Sequence, residues 1–259
     1  MRRARESAGL SLRGLGERIV FPYGFLGRVE RGEQPATDGL VRALDTFYKT
    51  DGLFAELLLM AQELAIPAYG RDFVRREREA LRIQVFTSSL VPGLLQTRDY
   101  ARELFRTSLP WESDEEVEAR VDFRVKRQLM LEREEPPFYW AIMDEAALKR
   151  PTISRATMRE QVTHILTTAA RPHVVVQVLP FAQAMHPMLG GSLTLLSLKD
   201  GGTVANIESF DSGEAVDSPR RLATYVQRLD VVRAMALPEN ESLDLLRSYR
   251  KEYEDEGDS

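Results

Sequence analysis

The sequence predicts an α+β protein: an all-helical N-terminal domain (residues 1–66) followed by a mixed α/β domain (residues 67–259) with one small sheet and several helices. Three observations predict it. Residues 1–66 read as five successive helices on apolar spacing. Strand-like runs come only later, from Leu81-Arg-Ile-Gln-Val-Phe86 to Val174-Val-Val-Gln-Val-Leu179. Between those runs lie capped helical segments, the pattern of helices packed on a sheet.

Composition sets the outer bounds. The chain has 259 residues, 43% of them apolar, enough for a real core. It has no cysteine, which excludes disulfides, thiolate metal sites and a cysteine nucleophile. No apolar run approaches the ~18 residues of a membrane span. The Arg-rich start lacks the apolar core of an export signal, so a cytoplasmic protein is expected. Net charge is −5, but unevenly spread: residues 1–50 hold nine Arg/Lys against six Asp/Glu, while Glu252 to Ser259 is acidic. A basic end on an acidic protein suits a small nucleic-acid module joined to something else.

The helices follow in order. Arg2–Ala8 is a short helix stopped by Gly9. Ser11 caps a second, Leu12 to about Val20, whose Leu12, Leu15 and Ile19 form one apolar face. Phe21-Pro22 interrupts it, and Pro22 opens a third helix over Tyr23–Glu30, with Leu26 and Val29 inward. Gly32 ends that helix and Pro35 prevents continuation. Thr37–Tyr48 is the fourth, and Asp51–Ile66 the fifth. The fifth is apolar nearly all round and is expected to lie between the two domains.

Two of these helices joined by a tight turn make a helix-turn-helix plan. The segment resembles the xenobiotic-response-element type found in phage-repressor-like regulators. The matching residues are Arg3-Ala-Arg-Glu-Ser-Ala-Gly-Leu-Ser11, Leu15-Gly-Glu-Arg-Ile19, Leu26-Gly-Arg-Val-Glu-Arg-Gly32 and Pro35. The resemblance implies that the helix from Tyr23 lies in the DNA major groove with its early outward residues at base edges. Carried over by position, these are Tyr23, Gly24, Gly27 and Arg28. Arg28 is the candidate for bidentate contact with guanine. Tyr23 suits a thymine methyl or a phosphate. Gly24 and Gly27 have no side chain to read with, and each weakens the helix by up to about 1 kcal/mol relative to alanine. Arg13, Arg18, Arg31 and the N-terminal arginines are candidates for phosphate contacts, which position without specifying. The alternative is that these are solvated charges on a protein–protein module.

The second domain alternates. Pro67-Ala-Tyr-Gly70 is the boundary, Arg71–Ala80 a charged connecting helix and Leu81–Phe86 a strand. Pro92-Gly93 marks a turn, and Thr97 or Asp99 starts a helix through Phe105. Ser113-Asp-Glu-Glu116 is a capping box opening a helix to about Glu134, with Val117, Val121, Val125 and Leu129 on one stripe. Phe138–Met143 is a buried strand and Asp144–Leu148 a short helix. Ser154 caps the next helix, and Val174–Leu179 is the clearest strand. Ser192–Leu198 and Thr203–Glu208 flank Asp200-Gly-Gly202 as a hairpin. Helices from Ser218-Pro219 and from Ser242 to Tyr253 close the chain.

Motifs here carry a second resemblance. Val91-Pro-Gly-Leu-Leu-Gln-Thr97, Asp99-Tyr-Ala101, Arg120…Arg124…Arg127-Gln128, Asp144-Glu-Ala-Ala-Leu148, Met158-Arg-Glu-Gln161 and Val176-Gln-Val-Leu-Pro-Phe181 resemble the C-terminal domain of WhiJ-like actinobacterial regulators, often called antitoxin-like. The resemblance implies a repressor working with a small partner protein, commonly encoded nearby.

Catalytic patterns are missing. His164, His173 and His186 have no metal-ligand spacing, and no phosphate-binding glycine loop or nucleophile elbow is present, so neither an enzyme nor a cofactor is expected. Glu145 reads as a helix cap rather than a catalytic acid. The arginine helix reads as a solvated face or as a salt-bridge network with Glu116, Glu118 or Asp144. The loop Phe181–Gly191, with Met185, His186, Met188 and Leu189, reads equally as a segment folded onto the core or as a partner-docking surface.

These readings converge on a sequence-specific regulator of double-stranded DNA. It is expected to be a repressor and a homodimer, controlled by a partner protein through the second domain. A partner-sequestering antitoxin-like module and a small-molecule-sensing regulator are the alternatives. The latter requires an apolar pocket with a few polar groups.

Overall fold

In the computed structural model, residues 1–64, 68–152, 154–183, 185–209 and 212–255 are described. Pro67 of the boundary segment and Ala184 of the apolar loop lie outside them. The chain divides into two compact units, residues 1–66 and 67–259, and the class is the expected α+β.

The first unit is helical: α1 Arg2–Ser7, α2 Leu12–Ile19, α3 Tyr23–Arg31, α4 Asp38–Tyr48 and α5 Leu53–Leu64. Ser11 and Thr37 cap α2 and α4 by accepting the N–H of Gly14 and Leu40. Leu15, Leu26, Leu40 and Leu44 are buried at its centre. α5 packs Phe54 and Leu58 into this unit's core, while Leu53, Leu57 and Met60 face away from that core.

The second unit is built on a six-stranded sheet of order β3-β2-β1-β4-β5-β6. Its strands are β1 Ala80–Thr87, β2 Phe138–Asp144, β3 Val174–Leu179, β4 Ser192–Leu198, β5 Thr203–Ser209 and β6 Ser212–Val216. β1, β2 and β3 are parallel, and β4, β5 and β6 run antiparallel. Parallel neighbours need long crossovers. α7 Arg98–Ser108 and α8 Asp114–Gln128 supply the first; α9 Ala146–Lys149 and α10 Arg155–Ala169 supply the second. α6 Ala68–Glu79 precedes the sheet, and α11 Pro219–Met235 and α12 Glu239–Asp255 follow it. β6 was not anticipated: Ser-Gly-Glu-Ala-Val has one strong strand former, and it is held by pairing with β5.

Edge strand β3 is protected by α12, whose buried Ser242 accepts the Val178 N–H at 3.0 Å, while the Leu237 N–H bonds the Val178 carbonyl. α8 keeps its capping box at Ser113 and Glu116. It tightens after Gln128 into a 3₁₀ turn over Leu129–Glu132, which swings Leu129 outward while Val117 and Val121 stay buried.

The arginine helix is a salt-bridge network rather than a solvated face; the charge of Arg120 acts on Glu116 as expected, but the direct partners are mostly other acids. Arg127 grips the buried Glu77 at 2.9 and 2.8 Å, Arg120 pairs with Glu112, and Glu118 goes to Arg98 and Arg102. Arg124 donates to the neutral Gln96 at 2.8 Å, and burial, followed by the charge of Arg127, pushes its guanidinium down to about 10. The Pro-Gly turn motif is the hub. Gln128 donates to the carbonyls of Gly93 and Gln96, and buried Gln161 bonds the Leu95 carbonyl and the Thr97 N–H. A Cβ on Gly93 would stand 2.9 Å from Arg124 Nη1, so a larger residue there would push the Arg124 side chain off its bond to Gln96. Three motifs far apart in sequence thus form one satisfied polar network.

Candidate nucleic-acid interface

The turn between α2 and α3 is tight. Phe21 N–H bonds the Gly16 carbonyl at 3.0 Å, and a Cβ on Gly16 would meet the Phe21 carbonyl oxygen at 2.5 Å. No larger residue fits without movement, so Gly16 sets how closely α3 approaches α2. Val20, the α2 C-cap, sits at φ 60°, strained for a β-branched residue, and its side chain is 86% exposed. The sequence signal for this turn was Phe21-Pro22; the role of Gly16 went unread within its own motif.

On α3 the exposed residues are Tyr23, Gly24, Arg28 and Arg31, and the buried ones are Leu26 and Gly27. Gly27 was expected to face outward. Instead it is buried beside Leu12 of α2, where a Cβ would stand 3.5 Å from Leu12 Cδ1, an ordinary contact distance. Gly24 is open, and Arg28 Nη1 lies 3.9 Å from where its Cβ would be. The bare backbone gives the Arg28 side chain room to lie back along the helix.

The arginines differ in their partners. Arg28 donates to the neutral Gln34 at 2.9 Å. Gln34 was not singled out, because its role depends on the chain folding back after Gly32. Arg31 is held by Glu33 through bonds of 2.7 and 2.8 Å, which raise its pKa and draw that of Glu33 below the usual carboxylate range. Arg13 lies 3.4 Å from Glu17, both exposed, and Arg18 lies 6.0 Å from the Phe47 ring centroid. Arg5, among the N-terminal arginines expected on phosphates, is instead structural. It forms two 2.8 Å bonds to buried Glu30 and donates to the Leu10 carbonyl, tying α1 to α3. Burial pushes the Glu30 carboxyl up, but the hydrogen bond and charge of Arg5 outweigh it and hold it low.

The apolar loop of the second unit divides. Met185 and Leu189 are exposed, whereas His186 and Met188 are buried in the core. The inward pair corrects the reading of all four as one surface: Met188 packs with Phe86 and Leu193, and His186 meets Phe86 edge-on at 5.4 Å. Glu145 is the N-cap residue of α9 as expected, but its side chain makes no cap bond. Its carboxylate accepts the Phe181 N–H at 2.7 Å and the Tyr249 hydroxyl at 2.5 Å. His173 bonds the Leu131 carbonyl at 3.0 Å. Among the described residues, no acidic or histidine cluster could hold a metal, and no helix is long and apolar enough to cross a membrane.

α2 and α3, joined by a glycine-closed turn and with arginines on the outer face of the second, form a helix-turn-helix, and residues 1–57 match a family described as a helix-turn-helix domain. Over residues 70–248 the chain belongs to the family described as a domain of unknown function, DUF5753. Neither a curated protein nor a solved structure matches the chain.

Proposed function

We propose that this protein is a sequence-specific transcriptional repressor that binds double-stranded DNA through α3, and that a small partner protein controls it through the second domain. The observation that carries the DNA reading is Arg28: exposed, hydrogen-bonded to neutral Gln34 rather than to a carboxylate, and beside the bare backbone of Gly24. A guanidinium so placed suits the paired acceptors of guanine. Tyr23 flanks it, Arg13 and Arg18 supply phosphate contacts, and Arg31 joins them once freed from Glu33. With one reading arginine per motif, specificity leans on DNA shape and half-site spacing in a homodimer. The exposed stripe Leu53, Leu57 and Met60 on α5 supports such pairing. Exposed Met185 and Leu189 support partner docking.

Selection of bound sequences from a random DNA pool tests the reading. Arg28→Ala should relax preference at one position and cost about 1–3 kcal/mol at the preferred site only. An equal loss on all sequences would reduce Arg28 to a phosphate contact. Genome-wide DNA capture with and without the neighbouring small protein tests the control. A second reading, control by a small molecule, is favoured by a cavity of about 690 Å³ in the second unit.

A further inference from the structure

That cavity opens where the carboxyl ends of β1, β2 and β3 meet the loop before β4. Ser88 and Ser89 follow β1, Asp144 ends β2, and Leu179 and Pro180 close β3. Parallel strands commonly present ligands at this end, and the volume lies in the range of small-molecule sites.

We propose that this cavity binds a small, largely apolar amine carrying one hydrogen-bond acceptor. Its use as a control site rests on the DNA-binding reading above; the binding itself does not.

Charge selects the class. Asp144 and Glu208 line the cavity, and no lysine or arginine does so among the described residues; Glu208 also acts on the buried Arg124 and Arg127, so Asp144 is the carboxylate that sets the class. Leu90, Leu179, Phe181 and Leu189 supply apolar walls. Such a site repels a carboxylate or phosphate and favours a cation with an apolar body.

The floor is a built polar site left incomplete. The His186 side chain is 2% exposed. Its Nδ1 accepts the Met188 N–H at 3.3 Å, which leaves the proton on Nε2. Nε2 is buried and has no hydrogen-bond partner, although Asp144 Oδ2 lies 3.3 Å away in poor alignment. Asp144 Oδ1 is taken by the Ala146 N–H at 2.8 Å, so Oδ2 is the oxygen left over. A donor on the ligand fits Asp144 Oδ2, and an acceptor beside it fits the His186 Nε2–H. Buried polar groups without partners are uncommon in folded proteins.

The wall is held rather than loose. Glu145 ties the Phe181 backbone to α12 through Tyr249. This fixes the backbone of Phe181, whose exposed side chain lines the cavity.

Three probes of one size separate the terms: 2-amino-1-phenylethanol, 2-phenylethylamine and mandelate, titrated onto the full chain by ligand-observed NMR and thermal denaturation. The amino alcohol should bind saturably near the millimolar range and at least about tenfold tighter than mandelate, with the plain amine between them. Asp144→Asn, which keeps an oxygen for the Ala146 N–H, should weaken the amino alcohol about tenfold or more and abolish its preference over mandelate. Leu189→Trp, a rim change at a half-exposed residue, should block all binding without lowering thermal stability. Mandelate binding as well as the amines, no saturable binding by either amine, or Asp144→Asn leaving affinity unchanged overturns the proposal. DNA affinity measured with and without saturating amine separates the two readings. No change leaves the site standing and removes its control role, whereas failure to bind DNA at all strikes the DNA reading alone.

Discussion

Arg28 of the first unit and Arg127 of the second belong to the same residue type and sit on helices of similar character, yet their surroundings are opposite. Arg28 is exposed and bonded to a neutral amide; Arg127 is interior and gripped at two points by a carboxylate that is itself 3% exposed. The difference lies in what each guanidinium keeps available. A buried, paired arginine has exchanged water for one permanent partner, and removing that partner strands a charge. An exposed arginine on a neutral partner keeps its donors for a ligand still to come. The pair thus contrasts an arginine committed to a fixed partner with one whose donors stay available, and neither condition is visible from the residue name.

The comparison can be broken most forcefully at Glu77. Glu77→Ala leaves Arg127 buried and unpaired and should cost about 3–5 kcal/mol of the second unit's stability in chemical denaturation. A cost below about 1 kcal/mol would show the pair to be solvated. At the next level, Gly16→Val forces the turn open against the Phe21 carbonyl and should cost about 1–3 kcal/mol of the first unit's stability, with loss of DNA binding.

Smaller effects sharpen the contrast. Glu33→Gln frees Arg31 from its acid, so the slope of log affinity against log salt should steepen by about one phosphate contact, measured by DNA titration across salt concentrations. An unchanged slope would place Arg31 away from DNA. Val20→Gly removes a β-branched residue from φ 60° and should stabilise the first unit by up to about 1 kcal/mol in thermal melts. The Arg5–Glu30 pair adds a pH dependence. Because the folded carboxyl titrates below its unfolded value of about 4.5, its contribution is complete above that value and is lost as pH falls through the lower, folded one. Acid titration should show Glu30→Gln flattening that slope.

The elements were largely legible. Ser11, Thr97 and the capping box at Ser113 announced their helices because a cap acts on N–H groups two or three residues away. Val174–Leu179 and the Asp200-Gly-Gly202 hairpin were legible for the same reason: local pattern, local cause. Tyr23, Gly24, Arg28 and Arg31, placed by the helix-turn-helix resemblance, lie on the outside of α3. Gly27 does not, because its burial comes from Leu12 on another helix. β6 exists because β5 offers an edge, and no property of its five residues required it. His186 and Met188 sit beside exposed Met185 and Leu189 in one short loop, and only the packing of Phe86 decides which of them turn inward.

Taken alone, then, the sequence determined the helices and most strands, the order of the two kinds of structure and the outer face of α3, because caps, period and turn residues act over a few positions. Only the tertiary structure decided which arginines are interior, why Gly16 has no side chain, that Gly27 is buried, and that Asp144, His186 and the ends of three strands line one cavity. Those facts depend on contacts between residues far apart in the chain, whose pairing no local pattern encodes.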